Sequence, residues 1–136
     1  MKKIIFLAVI GTAAAVLYGC VEVVPPRSLT AVRMHMLKRK VLRYARQHGE
    51  LPASVQVLPE MHGYDNSALD AWKRPIIFET SPSGSVTFRS LGRDGKIGGE
   101  GDDADIIRSF PARNAQRQWS DEGVDWSEDT FRTPKP

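Results

Sequence analysis

A single cysteine, Cys20, stands in the 136 residues. One thiol excludes an internal disulfide and any cysteine-based metal cluster, so neither a covalent cross-link nor a zinc knuckle holds this chain together. Catalytic signatures are missing as well: there is no His-Glu-x-x-His, no Gly-x-Ser-x-Gly and no phosphate-binding glycine loop. The three histidines, His35, His48 and His62, are scattered, and the first two fall on or just after a basic helix where surface positions are expected. Acidic charge is absent locally, since no Asp or Glu lies between Val23 and Gly49. What remains, 41% apolar and 26% charged residues, suits one small domain with one core and some appendages.

The chain opens on Met1-Lys2-Lys3 and an apolar run from Ile4 to Val16, a charged n-region and an h-region too short for a comfortable membrane span. Leu17-Tyr18-Gly19-Cys20 follows and resembles a bacterial lipobox, although Tyr18 is bulkier than the small residue usual there. The expectation is a lipoprotein leader over 1–19, a lipidated Cys20 and a linker over 20–27, with an uncleaved signal anchor through Val24 as the alternative. Either places the domain outside the cytoplasm. Acyl chains on Cys20, at about 0.8 kcal/mol per buried methylene, would hold the protein to the membrane, and Val21 in place of Asp looks like outer-membrane sorting. Of the 19 basic residues, removal of Lys2 and Lys3 leaves 17 against 16 acidic ones, a balance that singles out no partner.

After Pro25 and Pro26, Ser28 is placed to cap a helix running to about Gln47, with Gly49 as its stop. Ala31, Met34, Leu37, Val41, Tyr44 and Ala45 form its apolar stripe. The other side is basic: Arg27, Arg33, Lys38, Arg39, Lys40, Arg43 and Arg46. A solvated face is the simpler reading, and contact with anionic lipid or an acidic partner the other. Nucleic acid is not expected for an exported chain with no recognition motif. Residues 53–69 read as loop. Ile76 to Thr80 and Val86 to Ser90 read as strands joined by Ser81-Pro82-Ser83-Gly84, and Ile106 and Ile107 return to the core as a third. From Pro111 the pattern is lost. Residues 111–136 read as a polar, disordered or loosely docked tail, whose Trp119, Trp126 and Phe131 could also dock on the domain or on a partner.

Between Ser90 and Ile106 lies Ser-Leu-Gly-Arg-Asp-Gly-Lys-Ile-Gly-Gly-Glu-Gly-Asp-Asp-Ala-Asp-Ile. Five glycines free the backbone, while Asp94, Glu100, Asp102, Asp103 and Asp105 crowd carboxylates together. Such a loop is either an ordinary solvated surface loop or a site for a hard cation taking about 6–8 oxygen ligands. It is not an EF-hand, because Lys96 and Gly98 occupy alternate positions after Asp94.

This run resembles the calcium-binding loop of the type II secretion major pseudopilins. Tyr44, Gly49 and Leu51-Pro52 resemble that family's helix end, and Asp70, Trp72 and Pro75 its Asp-Pro-Trp-Gly-Asn-Pro turn, where Ala71, Lys73 and Arg74 depart. The resemblance covers roughly 28–107. It implies an α+β, pilin-like domain over 28–110: an N-terminal helix packed on a small antiparallel sheet, closed by a Ca²⁺ loop. It also implies the ligands, namely the side chains of Asp94, Asp102 and Asp105 with the carbonyls of Leu91 and Asp103. One departure stands out. Gly19-Cys20 is followed by Val-Glu-Val-Val-Pro-Pro, which cannot make the apolar filament helix of a conventional pseudopilin. The expected protein is therefore no enzyme but a lipid-anchored, Ca²⁺-binding structural or interaction module facing the periplasm, with secretion-system pseudopilins or other envelope proteins as partners. A metal-dependent hydrolase built on the same aspartates and a filament-associated minor pseudopilin are the alternatives.

Overall fold

The computed structural model describes residues 23–126. The expected leader, Cys20 and the last ten positions, Phe131 among them, lie outside the described residues.

A long helix, α1 (Pro26–His48), opens the domain. It starts two residues earlier than Ser28 because Pro26 sits in its first turn, where a missing N–H costs nothing and the ring presets φ. No side chain caps this end; the Pro25 carbonyl instead accepts the Leu29 N–H at 3.0 Å. The far end closes as the sequence predicts: Gly49 adopts φ 78° and donates its N–H to the Ala45 carbonyl at 2.8 Å.

Three antiparallel strands, β1 (Ile77–Thr80), β2 (Ser85–Ser90) and β3 (Ile106–Pro111), form a sheet in the order β1-β2-β3. Phe78 faces Phe88 on β2, and Ser90 pairs with Ile106. Val86, Phe88 and Ser90 alternate inward along β2, the period of two expected for a strand with one covered face. Met34, Leu37, Val41 and Leu42 of α1 pack with Val86, Phe88, Ile106 and Phe110 in one core. This is an α+β, pilin-like arrangement. It leaves two connections to carry chemistry: residues 49–76 between α1 and β1, and the Gly/Asp loop between β2 and β3.

The segment after β3 is not loose within the described residues. Ala112 and Ser120 are buried, and Trp119, Val124 and Trp126 pack against the core. Trp126 meets Phe110 and Phe88 edge-on, at centroid distances of 5.6 and 6.4 Å. Of the two readings of the tail, docking on the domain itself describes 112–126, and the core thus extends past residue 110. The irregular aromatic spacing hid this because the segment packs as a strap of turns with a single bridge, Arg113 to Trp119, and not as a periodic element.

Candidate functional site

The Gly/Asp loop is held by arginines from three directions. Arg27, in the first turn of α1, donates to the carbonyls of Gly101 at 2.9 Å and Ala104 at 2.7 Å. Arg74 donates to the Arg93 carbonyl and lies where a side chain on Gly95 would stand. Arg93 grips the Asp103 carboxylate with two nitrogens, at 2.8 and 3.0 Å. That hydrogen-bonded pair holds the Asp103 carboxyl below the usual carboxylate range. Crowded carboxylates alone suggest a loop that must repel itself; Arg93 pairs with one of them, Asp103, while Arg27 and Arg74 bind the loop's carbonyls.

Main-chain bonds fix the loop's shape. Arg93 N–H reaches the Asp102 carbonyl at 2.8 Å, Asp105 N–H reaches Gly98 at 3.1 Å, and a single 3₁₀ turn spans Gly101–Asp103. Gly92 is buried with φ 62°, and a Cβ there would collide with the Asp103 carbonyl. Gly99 approaches the same oxygen from another side, where a Cβ would come within 2.6 Å. The two glycines therefore wrap one carbonyl so closely that no other residue fits.

The five expected ligand residues fare differently. Asp105 lies inside: both its carboxylate oxygens are buried and accept no hydrogen bond. The Asp103 carbonyl is enclosed, while its side chain is taken by Arg93. Asp94 is exposed and accepts the Lys96 N–H at 3.0 Å, Asp102 is exposed, and Leu91 is half-buried. Among the described residues, no three His, Cys, Asp or Glu side chains gather as a metal-binding group. A cation held here would draw on carbonyls as much as on carboxylates. The donor chemistry, all oxygen with one buried unpaired carboxylate, fits a hard cation, since such a carboxylate costs several kcal/mol, as an order of magnitude, until its charge is met.

Beside the loop lies the Asp70 turn. Asp70 is fully buried; its Oδ1 accepts the N–H groups of Trp72 and Arg74, both at 2.9 Å, and its Oδ2 accepts the Ser90 hydroxyl at 2.7 Å. Arg33 of α1 donates to the Asp70 carbonyl at 2.8 Å, and the buried Thr30 hydroxyl accepts the Ala71 N–H at 3.0 Å. One carboxylate thus ties the turn carrying Arg74 to the end of β2, where the Gly/Asp loop begins.

The basic side of α1 is not a bare solvated face. Arg39, Arg43 and Arg46 converge on Glu122 at 2.9, 3.1 and 3.4 Å. Lys38 donates to the Val124 carbonyl and lies under Trp126 at 4.6 Å. Arg33 pairs with Asp65 at 2.9 Å, and Lys40 donates to the Asn66 Oδ1 at 3.0 Å. The acidic partner of this helix is the chain's own strap and its own 61–70 loop. In the sequence Arg27 entered only as one member of the basic face and Arg74 only as a departure from the family's turn, and Glu122 carried no functional reading. Only the excess of arginine over acid along α1 hinted that something acidic would come to it.

The family model for the type II secretion system (T2SS), protein G, matches residues 27–109. No curated protein and no solved structure gives a significant match. The matched stretch takes in all but the first residue of α1, the Asp70 turn, all but the last two residues of the sheet and the whole Gly/Asp loop, and the chain belongs to this family of pseudopilins.

Proposed function

We propose that this protein is a lipid-anchored, Ca²⁺-binding pseudopilin-like module, structural and not catalytic, that works beside a type II secretion apparatus on the periplasmic side of the envelope. Membership of the family supports the secretion-system role and association with other pseudopilins. No helix among the described residues is long and apolar enough to cross a membrane; the lipid anchor rests on the lipobox-like Leu17-Tyr18-Gly19-Cys20. The observation that carries the metal reading is Asp105, whose two carboxylate oxygens are buried and unpartnered inside the matched loop. Asp94, Asp102 and Asp105 with the Leu91 and Asp103 carbonyls would hold the ion. Bound Ca²⁺ supplies positive charge to oxygens that arginine does not reach. Gly92 and Gly99 leave the Asp103 carbonyl free of any side chain at those two positions, and Arg93 holds that residue's carboxylate.

Thermal melting of the full chain in neutral detergent, with millimolar CaCl₂ or with excess EGTA, tests the metal reading. Extracellular modules bind Ca²⁺ at about 10⁻⁴ to 10⁻³ M, so millimolar Ca²⁺ at about ten times such a Kd stabilises the fold by about 1.4 kcal/mol. The expected result is a melting temperature several degrees higher in Ca²⁺, with the response lost in Asp105→Ala. Identical curves in both buffers would overturn it. Metabolic labelling with palmitate, expected to vanish in Cys20→Ser, tests the anchor. Cross-linking in secretion-competent cells tests the partner, and adducts with pseudopilins are expected.

A further inference from the structure

Along the second half of α1, with no residue of the Gly/Asp loop in its lining, a cleft of about 350 Å³ opens between the helix and residues 59–64. Lys40, Arg43 and Gln47 of α1 form one wall, and His62 and Tyr64 face them. Lys40 is only 5% exposed, yet among the described residues its ammonium makes no ion pair. Its hydrogen bond goes to a neutral amide, Asn66 Oδ1, an oxygen already shared with the Met61 N–H at 2.7 Å. Burial pushes this amine below the ordinary lysine value, and the more distant charges of Glu60 and Asp65 act in the opposite direction. A buried cation without a counterion is costly, and an incoming anion removes that cost.

We infer that this cleft is a docking site for a carboxylate side chain on an acidic segment of a partner polypeptide, received by Lys40 at its floor and Arg43 at its edge. The chain itself supplies the precedent on the same helix: Arg43, with Arg39 and Arg46, already receives the carboxylate of Glu122 from a peptide strap. Three guanidiniums share that one carboxylate, so Arg43 retains charge for a second. The walls suit a peptide side chain, with Pro59, Met61 and Tyr64 giving apolar and aromatic surface around the cationic floor. Glu60 is the one carboxylate lining the cleft and works against the ligand. The site is separate from the Gly/Asp loop and does not depend on Ca²⁺.

Calorimetric titration of the full chain in neutral detergent with acetylated tetraglutamate peptide tests the inference. Saturable one-site binding is expected, unchanged by EGTA. Loss of one charge-assisted contact is worth about tenfold in affinity, so Lys40→Gln should weaken binding by about that factor. Glu60→Gln, at an exposed position, should tighten it several-fold. Should the buried Lys40 variant fail to fold, Arg43→Gln and Glu60→Gln still give opposite signs. Absence of saturable binding overturns the inference, as does affinity that changes less than twofold in the variants that fold. Equal competition by inorganic phosphate identifies a general anion site, and binding only to vesicles of anionic lipid identifies a membrane surface; either result overturns the polypeptide partner.

Discussion

The Asp70 carboxylate is fully buried and spends both oxygens on three donors, from Trp72, Arg74 and Ser90. Removing a buried acceptor strands its donors, so a buried charged network costs more to break than its hydrogen bonds are worth one by one. Asp70→Ala should destabilise the domain by about 3–5 kcal/mol in urea unfolding, and Asp70→Asn, which keeps one carbonyl oxygen, by about half as much. Equal, small losses would mean that the turn holds without it. Lys73 shows the turn's other demand: it takes φ 65° and donates its N–H to the Asp70 carbonyl at 3.0 Å. The family's turn has Gly at this point. Lysine accepts the left-handed conformation here at some cost because the Asp70 bonds fix the backbone around it.

At the level of elements, the loop and the strap are held by different physics. Gly92 and Gly98 both have positive φ, but a Cβ on Gly92 strikes the Asp103 carbonyl whereas one on Gly98 meets nothing within 4 Å. Gly98→Ala should therefore cost about 1 kcal/mol, the conformational share alone, and Gly92→Ala about 3 kcal/mol or more, since backbone must move. Chemical denaturation of the two variants separates the causes. The strap is held by charge. Burial disfavours ionised Glu122, but hydrogen bonds from Arg39 and Arg43, together with their charges, outweigh it and leave the carboxyl below its ordinary value of 4.5. Its stabilisation is complete above 4.5, the unfolded value, and is lost as pH falls through the lower folded one. The melting temperature of the native chain should thus fall more steeply than that of Glu122→Gln as pH drops below about 4.5. Parallel pH profiles would show that the strap stays down by its aromatics alone, with Trp126 on Phe110.

Across the whole molecule, what was legible in the sequence was local. The 3/4 spacing from Met34 to Ala45, the Gly49 stop and the alternation of Val86 and Phe88 each report on neighbours within a turn or a strand, and α1 and β2 follow them. The ligand residues were legible only by resemblance, and the geometry encloses Asp105 while leaving Asp94 and Asp102 exposed. Long-range partners left no trace in spacing. Glu122 lies 79 residues from Arg43, and Ala104 lies 77 from Arg27, separations at which no periodicity connects two side chains. Arg27 is the case with the widest consequence, because it joins the first turn of α1 to the carbonyls of Gly101 and Ala104 and so closes the domain on itself. Arg27→Ala removes two hydrogen bonds from a charged donor, one of them part-buried, and should destabilise the fold by about 1–3 kcal/mol. It should also speed amide hydrogen exchange from Gly101 to Asp105 well before the β2 amides respond, since the loop opens locally while the sheet stays paired. Because Arg27 and a bound cation would both offset charge in one loop, chelation should lower the melting temperature of Arg27→Ala further than that of the native chain. Equal drops would mean that the arginine and the cation site act independently; exchange that rises uniformly across β2 and the loop would place Arg27 in the global fold and not in the loop.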